Sequence, residues 1–534
     1  MIVDLLQTAL RKSLVALDVN PVPEVIGLER PANRDHGDWS SNVALAAAKA
    51  AGRNPRELAQ EIADSINADL PPHVDSVEVA GPGFVNFRLS GGWLHNVLSD
   101  VVAAGPHGFG RSNAGEGTRV IVEFVSANPT GPLHAGHARG ACYGDAVARL
   151  LEATGNAVAR EFYVNDRGTQ MQTYAASLQA RKAGQEPPED GYQGQYIIDW
   201  SQLMPDGADP LEWGYAHALA DQAEVLESLG ITFDRWFSER SMVDDGRIEQ
   251  TLEDLRGHGV VYEADDATWL RSTDYGDDKD RVVVRSDGDY TYIAPDIAYH
   301  RDKFARADKL VDVLGSDHHG YVPRMRAAMQ ALGHGPDELE MPITQMVRLL
   351  RDGEEVKLSK RTGDIIELRE LVDEIGADAT RFTYLLQSVD SPQTFDLAVA
   401  ASKAMENPVF YVQMAHARLR SIQRKTSEAG IERRVLSEVE LSRLTHEREL
   451  EILRQLHEFA DIVEIAAREM APHKVANWLR EFAAAVHGFY HDCYVMGDGV
   501  DPELTQARLW LVEAARIGLV AGLALLGVSA PDAM

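Results

Sequence analysis

The chain has 534 residues, 45% of them hydrophobic and 25% charged, which is enough for roughly three or four domains with sizeable cores. Its formal net charge of −31 argues against a generic nucleic-acid binder, because phosphate backbones are bound by cationic side chains. Two cysteines, Cys142 and Cys493, exclude a disulfide scaffold and a cysteine-rich zinc site, and they are typical of a reducing cytoplasm. No apolar run reaches about 18 residues, so we expect no membrane-spanning helix.

The first 110 residues predict a small α+β domain. An amphipathic pattern without a signal-peptide core opens the chain, and Asn54-Pro55 marks a helix start, because proline suits the first helical turn. Gly81-Pro82-Gly83 predicts a turn between two strands. The predicted elements are helices over 3–17, 42–50 and from 54 onward, and strands over 77–79 and 84–89.

The middle of the chain alternates strands with helices and so predicts an α/β domain over 119–401. A run rich in glycine, serine and asparagine (105–118) precedes it, and we place the linker at 111–118. Residues 184–214 are predicted as a loop-rich insertion. The predicted strands are 119–125, 158–164, 281–285, 290–293 and 309–314, with helices over 216–229 and 324–331. This alternation indicates a Rossmann-like, mostly parallel sheet with ligands at the carboxyl ends of its strands.

The remainder, 402–534, has helical periodicity throughout. The predicted helices are 405–424, 438–469, 473–490 and 502–526. The fold class is therefore α/β: a Rossmann-like parallel-sheet domain with an N-terminal α+β domain and a C-terminal all-α helical bundle.

A histidine pair follows the first strand of the central domain. His134 and His137 are three residues apart at a predicted helix start, so both lie on one face. The unpaired N–H groups and positive dipole of a helix N-terminus attract anions. Gly136 lets a phosphate or a flat ring approach the backbone. This turn predicts a nucleotide site.

A second cationic segment lies far downstream, where Lys357 and Lys360 stand between Gly353 and Gly363. A glycine-flanked lysine loop can close over a triphosphate and open again to release pyrophosphate. A solvated charge run is the alternative interpretation.

These two segments carry a family resemblance. His134-Ala135-Gly136-His137 is similar to the HIGH motif of class I aminoacyl-tRNA synthetases, and Lys357-Leu358-Ser359-Lys360-Arg361 resembles their KMSKS loop. The surrounding SANPTGPLHAGHARG resembles the arginyl-tRNA synthetases in particular, and the resemblance extends from Gly37-Asp38 to the closing LGVSAP. Leu358 replaces methionine and Arg361 replaces serine, which leaves the two lysines in register.

The resemblance implies an arginine–tRNA ligase that forms arginyl-adenylate from ATP and transfers arginine to tRNA(Arg), with activation dependent on tRNA. It implies that Mg²⁺ enters with ATP and that the protein has no dedicated metal site. The N-terminal domain is then expected to hold the tRNA elbow and the helical domain the anticodon. We expect a cytoplasmic monomer that binds neither DNA nor membranes.

The resemblance also implies roles for individual residues. The expected catalytic residues are His134, His137, Lys357 and Lys360. The expected ATP-binding residues are Gly136, His137, Asp317, Val347, Lys357 and Lys360. The expected arginine-binding residues are Glu123, Asn128, His134, Tyr292, Asp296 and His318, because a guanidinium requires carboxylate acceptors and an aromatic lid. The expected tRNA-binding residues are Phe84, Asn86, Tyr411, His416 and Arg418.

Several assignments have an alternative interpretation. In it, the histidines are helix caps or core residues, Phe84 is strand core, and Glu123 and Asp296 form internal salt bridges with Arg139 or Arg301. The alternative for Asp317-His318-His319 is a metal site. For the whole chain, the alternatives are another HxGH nucleotidyltransferase, a class I synthetase of different specificity, and a catalytically silent tRNA- or partner-binding module.

Overall fold

The computed structural model describes residues 2–31, 33, 36–351, 353–356 and 366–534. They form two compact units. The first comprises Met1–Ala104, Lys425–His457 and Gly488–Ala515, and the second comprises Gly105–Arg424, Glu458–His487 and Arg516–Met534. The domain limits inferred from the sequence stay a prediction.

The N-terminal part of the first unit is a small helix-on-sheet structure. Its helices are α1 (Ile2–Ala16), α2 (Val43–Ala51), α3 (Pro55–Ala68) and α4 (Gly91–Gly108), and its strands are β1 (Trp39–Ser41), β2 (Val74–Ala80) and β3 (Phe84–Leu89). The strands form an antiparallel sheet in the order β1-β3-β2. The α+β prediction for this region is confirmed.

Local sequence accounts for these boundaries. The side chain of Asn54 accepts a hydrogen bond from the Arg56 backbone N–H at 2.9 Å and caps α3, whose first residue is proline. Gly105, at φ +65°, kinks α4 just before Pro106. The glycine-rich run that we predicted as a connection therefore begins inside a helix.

The second unit contains the α/β region. Its strands are β4 (Arg119–Glu123), β5 (Ala157–Val164), β6 (Arg235–Ser238), β7 (Val261–Ala264), β8 (Ala267–Leu270), β9 (Arg281–Val284), β10 (Lys309–Asp312), β11 (Leu314–Gly315), β12 (Leu339–Glu340), β13 (Ile343–Thr344), β14 (Val347–Arg351), β15 (Glu354–Glu355) and β16 (Gln393–Asp396). Its helices are α5 (Ala135–Ala153), α6 (Thr169–Lys182), α7 (Gln195–Leu203), α8 (Pro210–Ser228), α9 (Glu239–Asp244), α10 (Arg247–Gly257), α11 (Ile293–Phe304), α12 (Tyr321–Ala331), α13 (Leu368–Ile375), α14 (Ala377–Tyr384) and α15 (Leu397–Ala401).

The central sheet is parallel, as predicted. Five strands lie in the order β12-β10-β4-β5-β6, and every neighbouring pair is parallel. The middle strand β4 is buried over Val120–Val122, because helices cover both faces of such a sheet. The carboxyl ends of β4, β5, β6 and β10 consequently meet at one edge.

Two predicted strands differ from the structure. The strand predicted over 119–125 ends at Glu123, because Val125 and Ser126 adopt left-handed backbone conformations with φ of +69° and +44°. The strand predicted over 290–293 is wrong. Residue Tyr290 forms a single bridge with Val284, and α11 begins at Ile293. Pro295 lies in the first turn of that helix, where proline is favourable.

The insertion predicted as loop-rich contains a helix. Residues of α7, including Ile197 and Trp200, are buried against Tyr174 of α6 and Ala218 of α8. The prediction was wrong because the apolar face of α7 is short and the residues on either side of it are mostly polar, glycine or proline, which is typical of a loop.

The C-terminal region is helical, with α16 (Pro408–Glu428), α17 (Glu447–Arg468), α18 (His473–Asp492) and α19 (Pro502–Leu525). The predicted helix over 438–469 begins later, at Glu447. The backbone N–H of Arg448 donates to His446 Nδ1, and Glu449 accepts from the His446 backbone N–H at 2.9 Å, so His446 caps α17. No helix in the described parts of the chain is long and apolar enough to cross a membrane.

Arg381 of α14 is the largest fully buried side chain of the second unit. It forms an ion pair with Asp145 of α5, and its guanidinium donates to the carbonyl oxygens of Leu526 at 2.8 Å and Leu229 at 2.9 Å. It therefore connects three separate segments of this unit.

We predict that Arg381→Met destabilises the protein by about 1–3 kcal/mol for each backbone carbonyl oxygen, of Leu229 and of Leu526, that loses its donor. Asp145 keeps its ion pairs with Arg149 and Arg160. Urea unfolding followed by tryptophan fluorescence measures the change. The exposed Arg348 of β14 provides the control, since Arg348→Met is expected to change stability by less than about 0.5 kcal/mol. Equal unfolding midpoints for the two variants would contradict the prediction.

Candidate active site

The histidine pair caps α5. His134 is the N-cap residue, and its Nδ1 accepts a hydrogen bond from the Gly136 backbone N–H at 3.1 Å. His137 Nδ1 accepts from the His134 backbone N–H at 3.2 Å, and the two ring centroids are 3.8 Å apart. Because both Nδ1 atoms accept, each neutral ring carries its proton on Nε2 and can donate from there. Capping and phosphate binding are therefore compatible roles.

The same geometry requires glycine at position 136. A Cβ atom at this position would lie 2.9 Å from both Cε1 and Nδ1 of His134. A side chain would therefore push the imidazole out of its capping position.

The lysines Lys357 and Lys360 lie outside the described residues, but both flanks of their segment are described. On one side, the Val356 backbone N–H donates to the Leu349 carbonyl at 2.9 Å. On the other side, the Ile366 carbonyl accepts from the Ala135 backbone N–H at 2.9 Å, next to the histidine pair. The chain that leaves the lysine segment is thus hydrogen-bonded to the start of α5.

An ion-pair network underlies the carboxyl edge of the sheet. Glu123, the last residue of β4, accepts from Lys303 Nζ through Oε2 at 2.7 Å and from Ser126 Oγ through Oε1 at 2.9 Å. The ion-pair partner of Glu123 is therefore Lys303, rather than Arg139 or Arg301 as anticipated from the sequence. Arg139 donates to three backbone carbonyl oxygens, and Arg301 pairs with Asp254.

Asp296 lies in the first turn of α11 and has an unusual environment. Burial raises the pKa of its carboxyl to about 6, with smaller opposing effects from His300 and from a hydrogen bond to Tyr321. The neighbouring carboxylates Glu239 and Glu123 raise this pKa further. The site therefore concentrates negative charge and favours a cationic ligand.

Sequence reasoning missed three members of this acidic site. Tyr163 is the penultimate residue of β5, Glu239 directly follows β6, and Tyr321 begins α12. Burial raises the pKa of Glu239, which also forms a hydrogen bond with Tyr163. Inspection of the polar residue at each strand end would have found Tyr163 and Glu239, whereas nothing in the sequence identified Tyr321.

Asn128 lies on an exposed turn that neighbouring helices hold in place. Its Nδ2 donates to Gln170 Oε1 at 2.7 Å. Gln222 Nε2 donates to the carbonyl oxygens of Asn128 at 3.1 Å and of Gly131 at 2.9 Å. The position of Asn128 therefore depends on residues from α6 and α8.

The other predicted ligand-binding residues occupy more open positions. Tyr292 is 89% exposed at the start of α11. Asp317 and His318 share a short 3-10 turn, with His318 Nε2 and Asp317 Oδ2 3.7 Å apart. Val347 begins β14. Across the described residues, no group of three or more His, Cys, Asp or Glu is arranged to hold a metal ion, so the metal interpretation of Asp317-His318-His319 has no support.

The predicted tRNA-binding residues differ in accessibility. Asn86 is buried in β3 and accepts from Ser40 Oγ at 2.7 Å, while Phe84 is half-buried. His416 is buried, and its Nδ1 lies 2.9 Å from the Pro531 carbonyl oxygen. Asn86 and His416 thus make internal hydrogen bonds, which favours structural roles for both.

Two predicted tRNA-binding residues of α16 meet at His487. Arg418 Nη1 lies 2.8 Å from His487 Nδ1, and the ring of Tyr411 packs edge-on against this imidazole. Tyr411 also lines a cavity of about 380 Å³.

The family model described as the class I (R) tRNA synthetase catalytic domain matches residues 100–195 and 217–419, which contain the parallel sheet and the HxGH turn. This part of the chain is therefore the catalytic domain of a class I aminoacyl-tRNA synthetase. The arginyl-tRNA synthetase N-terminal domain matches 4–89, and the DALR anticodon-binding domain matches 412–534.

Relatives that match nearly the whole chain are arginine–tRNA ligases. The arginine–tRNA ligase of Shouchella clausii is 44% identical, with 96% of this chain and 95% of the relative covered. The enzyme of Listeria monocytogenes is 43% identical, with 97% and 96% covered. The Thermus thermophilus arginyl-tRNA synthetase structure has the same fold, with a TM-score of 0.77 at 22% identity over 100% of both chains. The chain belongs to the arginyl-tRNA synthetase family, and its reaction is the ATP-dependent ligation of arginine to tRNA.

Gly136→Ala is predicted to lower kcat/KM for ATP by about 100-fold, the scale for loss of one transition-state donor. The physical reason is displacement of the His134 ring by the new methyl group. Gly140→Ala in the same helix is the matched control, because its Cβ would lie 4.0 Å from Thr344 Cγ2, an ordinary contact. Aminoacylation kinetics provide the measurement, and similar losses for both variants would refute the explanation.

Proposed function

We propose that this enzyme activates L-arginine with ATP to arginyl-adenylate and passes the arginyl group to the 3′ end of tRNA(Arg), acting as a cytoplasmic monomer. The observation that carries the amino-acid assignment is the partly buried group of carboxylates formed by Glu123, Asp296 and Glu239 at the carboxyl edge of the sheet. L-Arginine carries two cationic groups, a guanidinium and an α-ammonium, and therefore complements this charge.

Within this pocket, we assign the guanidinium to Asp296 and the α-ammonium to Glu123 and Asn128. Asp296 lies beside Tyr321, and we assign the exposed Tyr292, four residues before Asp296, as the aromatic lid. A neutral side chain of the same length would leave the partly buried carboxylate unmatched, so discrimination against it is expected to be strong.

The chemistry requires no enzyme nucleophile. The carboxylate of arginine attacks the α-phosphorus of ATP, and pyrophosphate leaves. The 2′-hydroxyl of the terminal adenosine then attacks the adenylate carbonyl carbon, and AMP leaves. Donation from His134 and His137 Nε2 at the N-terminus of α5 stabilises the developing phosphate charge. Mg²⁺ bound to ATP would neutralise part of the triphosphate charge.

We assign Lys357 and Lys360 to the triphosphate. Lys360 is six residues before Ile366, and a chain segment of that length spans at most about 22 Å. Because Ile366 is hydrogen-bonded to the start of α5, Lys360 is within reach of a phosphate bound to the histidine pair, and Lys357 precedes it by three residues. Asp317, His318 and Val347 are assigned to the adenosine and arginine sides of the same site.

We further propose the domain roles that accompany this reaction. Residues 4–89 match the arginyl-tRNA synthetase N-terminal domain and 412–534 match an anticodon-binding domain, so these regions are assigned to tRNA. An acidic remainder suppresses loose binding of nucleic acid elsewhere on the protein.

The direct test is to charge a purified tRNA pool with each radiolabelled amino acid. Only arginine is expected to be incorporated, and ATP–pyrophosphate exchange with arginine is expected to require tRNA. Incorporation of a different amino acid would identify another class I specificity. Transfer of AMP without tRNA charging would favour a nucleotidyltransferase, and tRNA binding without either reaction would favour a silent binding module.

His134→Ala and Lys360→Ala are each predicted to slow arginine activation by about 10²–10³-fold, because each removes one donor to the reacting phosphate. ATP–pyrophosphate exchange in the presence of tRNA measures this step. Exposed Lys403, outside the proposed site, supplies the control variant Lys403→Ala, which is expected to be as active as the wild type. Wild-type rates for His134→Ala or Lys360→Ala would remove that residue from the mechanism.

The raised pKa of Asp296, about 6, predicts a pH dependence. The carboxylate binds arginine and the protonated acid does not, so kcat/KM for arginine is expected to fall as pH decreases through about 6, approaching tenfold per pH unit below it. Profiles of kcat/KM for arginine and for ATP over pH 5–8 test this.

Asp296→Asn should lower kcat/KM for arginine at neutral pH and remove the acid limb that is specific to arginine. An acid limb of the same position and steepness for arginine in the Asp296→Asn variant would assign this titration to another group.

A further inference from the structure

The carboxylate of Glu123 is held at both oxygens by hydrogen bonds from side chains of the protein. Lys303 Nζ donates to Oε2 at 2.7 Å, and Ser126 Oγ donates to Oε1 at 2.9 Å. Lys303 has no exposed surface. The Glu123 side chain is 12% exposed, so it lies at the boundary between this buried lysine and the proposed arginine pocket.

The backbone next to Glu123 is strained. Val125 and Ser126 are consecutive non-glycine residues with left-handed φ values of +69° and +44°, a conformation that costs about 1–3 kcal/mol per residue. This turn aims the Ser126 hydroxyl at Glu123, and the same oxygen accepts from the Tyr163 backbone N–H at 3.2 Å. Strain of this kind persists where the surroundings fix a functional geometry.

Lys303 is also hydrogen-bonded to a second carboxylate, that of Asp312. Its ammonium donates to Asp312 Oδ1 at 2.7 Å, and Asp312 Oδ2 lies 2.7 Å from His300 Nε2. The other nitrogen of His300 lies 2.7 Å from the Asp296 carbonyl oxygen. One buried network thus connects the side chain of Glu123 with the backbone of Asp296.

Stability alone is a weak reason for such a network. Removing two charges from water is costly, and well-packed apolar residues in place of a buried ion pair are often as stable or more stable. Burial alone would lower the pKa of Lys303, but Asp312 and Glu123 raise it overall, so the side chain stays an ammonium. A permanent cation at this position fixes the rotamer of Glu123.

We propose that Lys303 is a positioning residue for the amino-acid substrate: anchored by Asp312, it holds the Glu123 carboxylate where a cationic group of arginine binds. The proposal rests on the arginine site described above. Lys303 acts through Glu123 and touches neither ATP nor the reacting atoms. Its loss should therefore affect arginine binding and leave ATP binding unchanged.

The test compares three full-length variants with the wild type in steady-state aminoacylation. Lys303→Met removes the ammonium, and the double variant Lys303→Met with Asp312→Asn removes one charge of each sign, so the net charge of the cluster is kept. Lys309→Met is the matched control. Lys309 begins β10, whereas Asp312 ends it, and the Lys309 ammonium forms a long ion pair of 3.9 Å with Glu340.

Lys303→Met is expected to raise KM for arginine by about 10- to 100-fold, the effect of losing a hydrogen bond to a charged group, with KM for ATP unchanged. The double variant is expected to recover thermal stability but keep the raised KM for arginine, because no donor holds Oε2. Lys309→Met should match the wild type.

Equal increases in both KM values, or a wild-type KM for arginine in the double variant, would overturn the proposal and leave Lys303 as a charge-balancing residue. If Lys303→Met does not fold, Ser126→Ala tests the same clamp through Oε1, with an expected increase of about 3- to 10-fold in KM for arginine alone. A wild-type enzyme that fails to charge arginine would instead refute the proposed function, independently of Lys303.

Discussion

The mutual capping of His134 and His137 at the start of α5 is the interaction on which the site depends. Each imidazole accepts a backbone N–H through Nδ1, so the proton of each neutral ring stays on Nε2. The same helix start is hydrogen-bonded to the chain leaving the lysine segment. A single helix N-terminus thereby orients the two imidazole N–H donors and is hydrogen-bonded to Ile366, which follows the lysine segment in the chain. Gly136 permits this because any side chain there would collide with His134.

Charge placement is the second constraint. The chain is strongly acidic, yet two of its cationic side chains, Lys303 of α11 and Arg381 of α14, are fully buried. These cations bind carboxylates of the protein, whereas Asp296 is left with a raised pKa. In the proposed mechanism, the cationic substrate completes the charge balance of this pocket. Such a site favours arginine over neutral amino acids because an uncharged side chain leaves Asp296 unmatched.

Much of the fold was predictable because its signals are local. The β-branched run of β4, the cap at Asn54 and the periodic C-terminal helices are each specified by a few neighbouring residues. Predictions failed where a neighbour in space decided the outcome. The apolar residues of α7 fold as a helix because α6 and α8 cover them. The late start of α17 is a different case, because the cap formed by His446 and Glu449 is a local signal that the prediction overlooked. The tRNA-binding roles expected for Asn86 and His416 stay predictions, although burial and internal hydrogen bonds favour structural roles for both side chains.

The sequence by itself determined the parallel α/β class, the HxGH turn, the two lysines and the family, because these features depend on residue type and spacing along the chain. The sequence also indicated Glu123 and Asp296, but only the tertiary structure added Glu239 to the proposed amino-acid pocket and showed that Lys303 is the cation paired with Glu123. Glu123 ends β4, Glu239 begins α9, and Asp296 and Lys303 both belong to α11. The order of strands in the sheet, rather than their order in the chain, sets which of these elements meet. Burial, which raises the pKa of Asp296, is likewise a property of the folded chain alone.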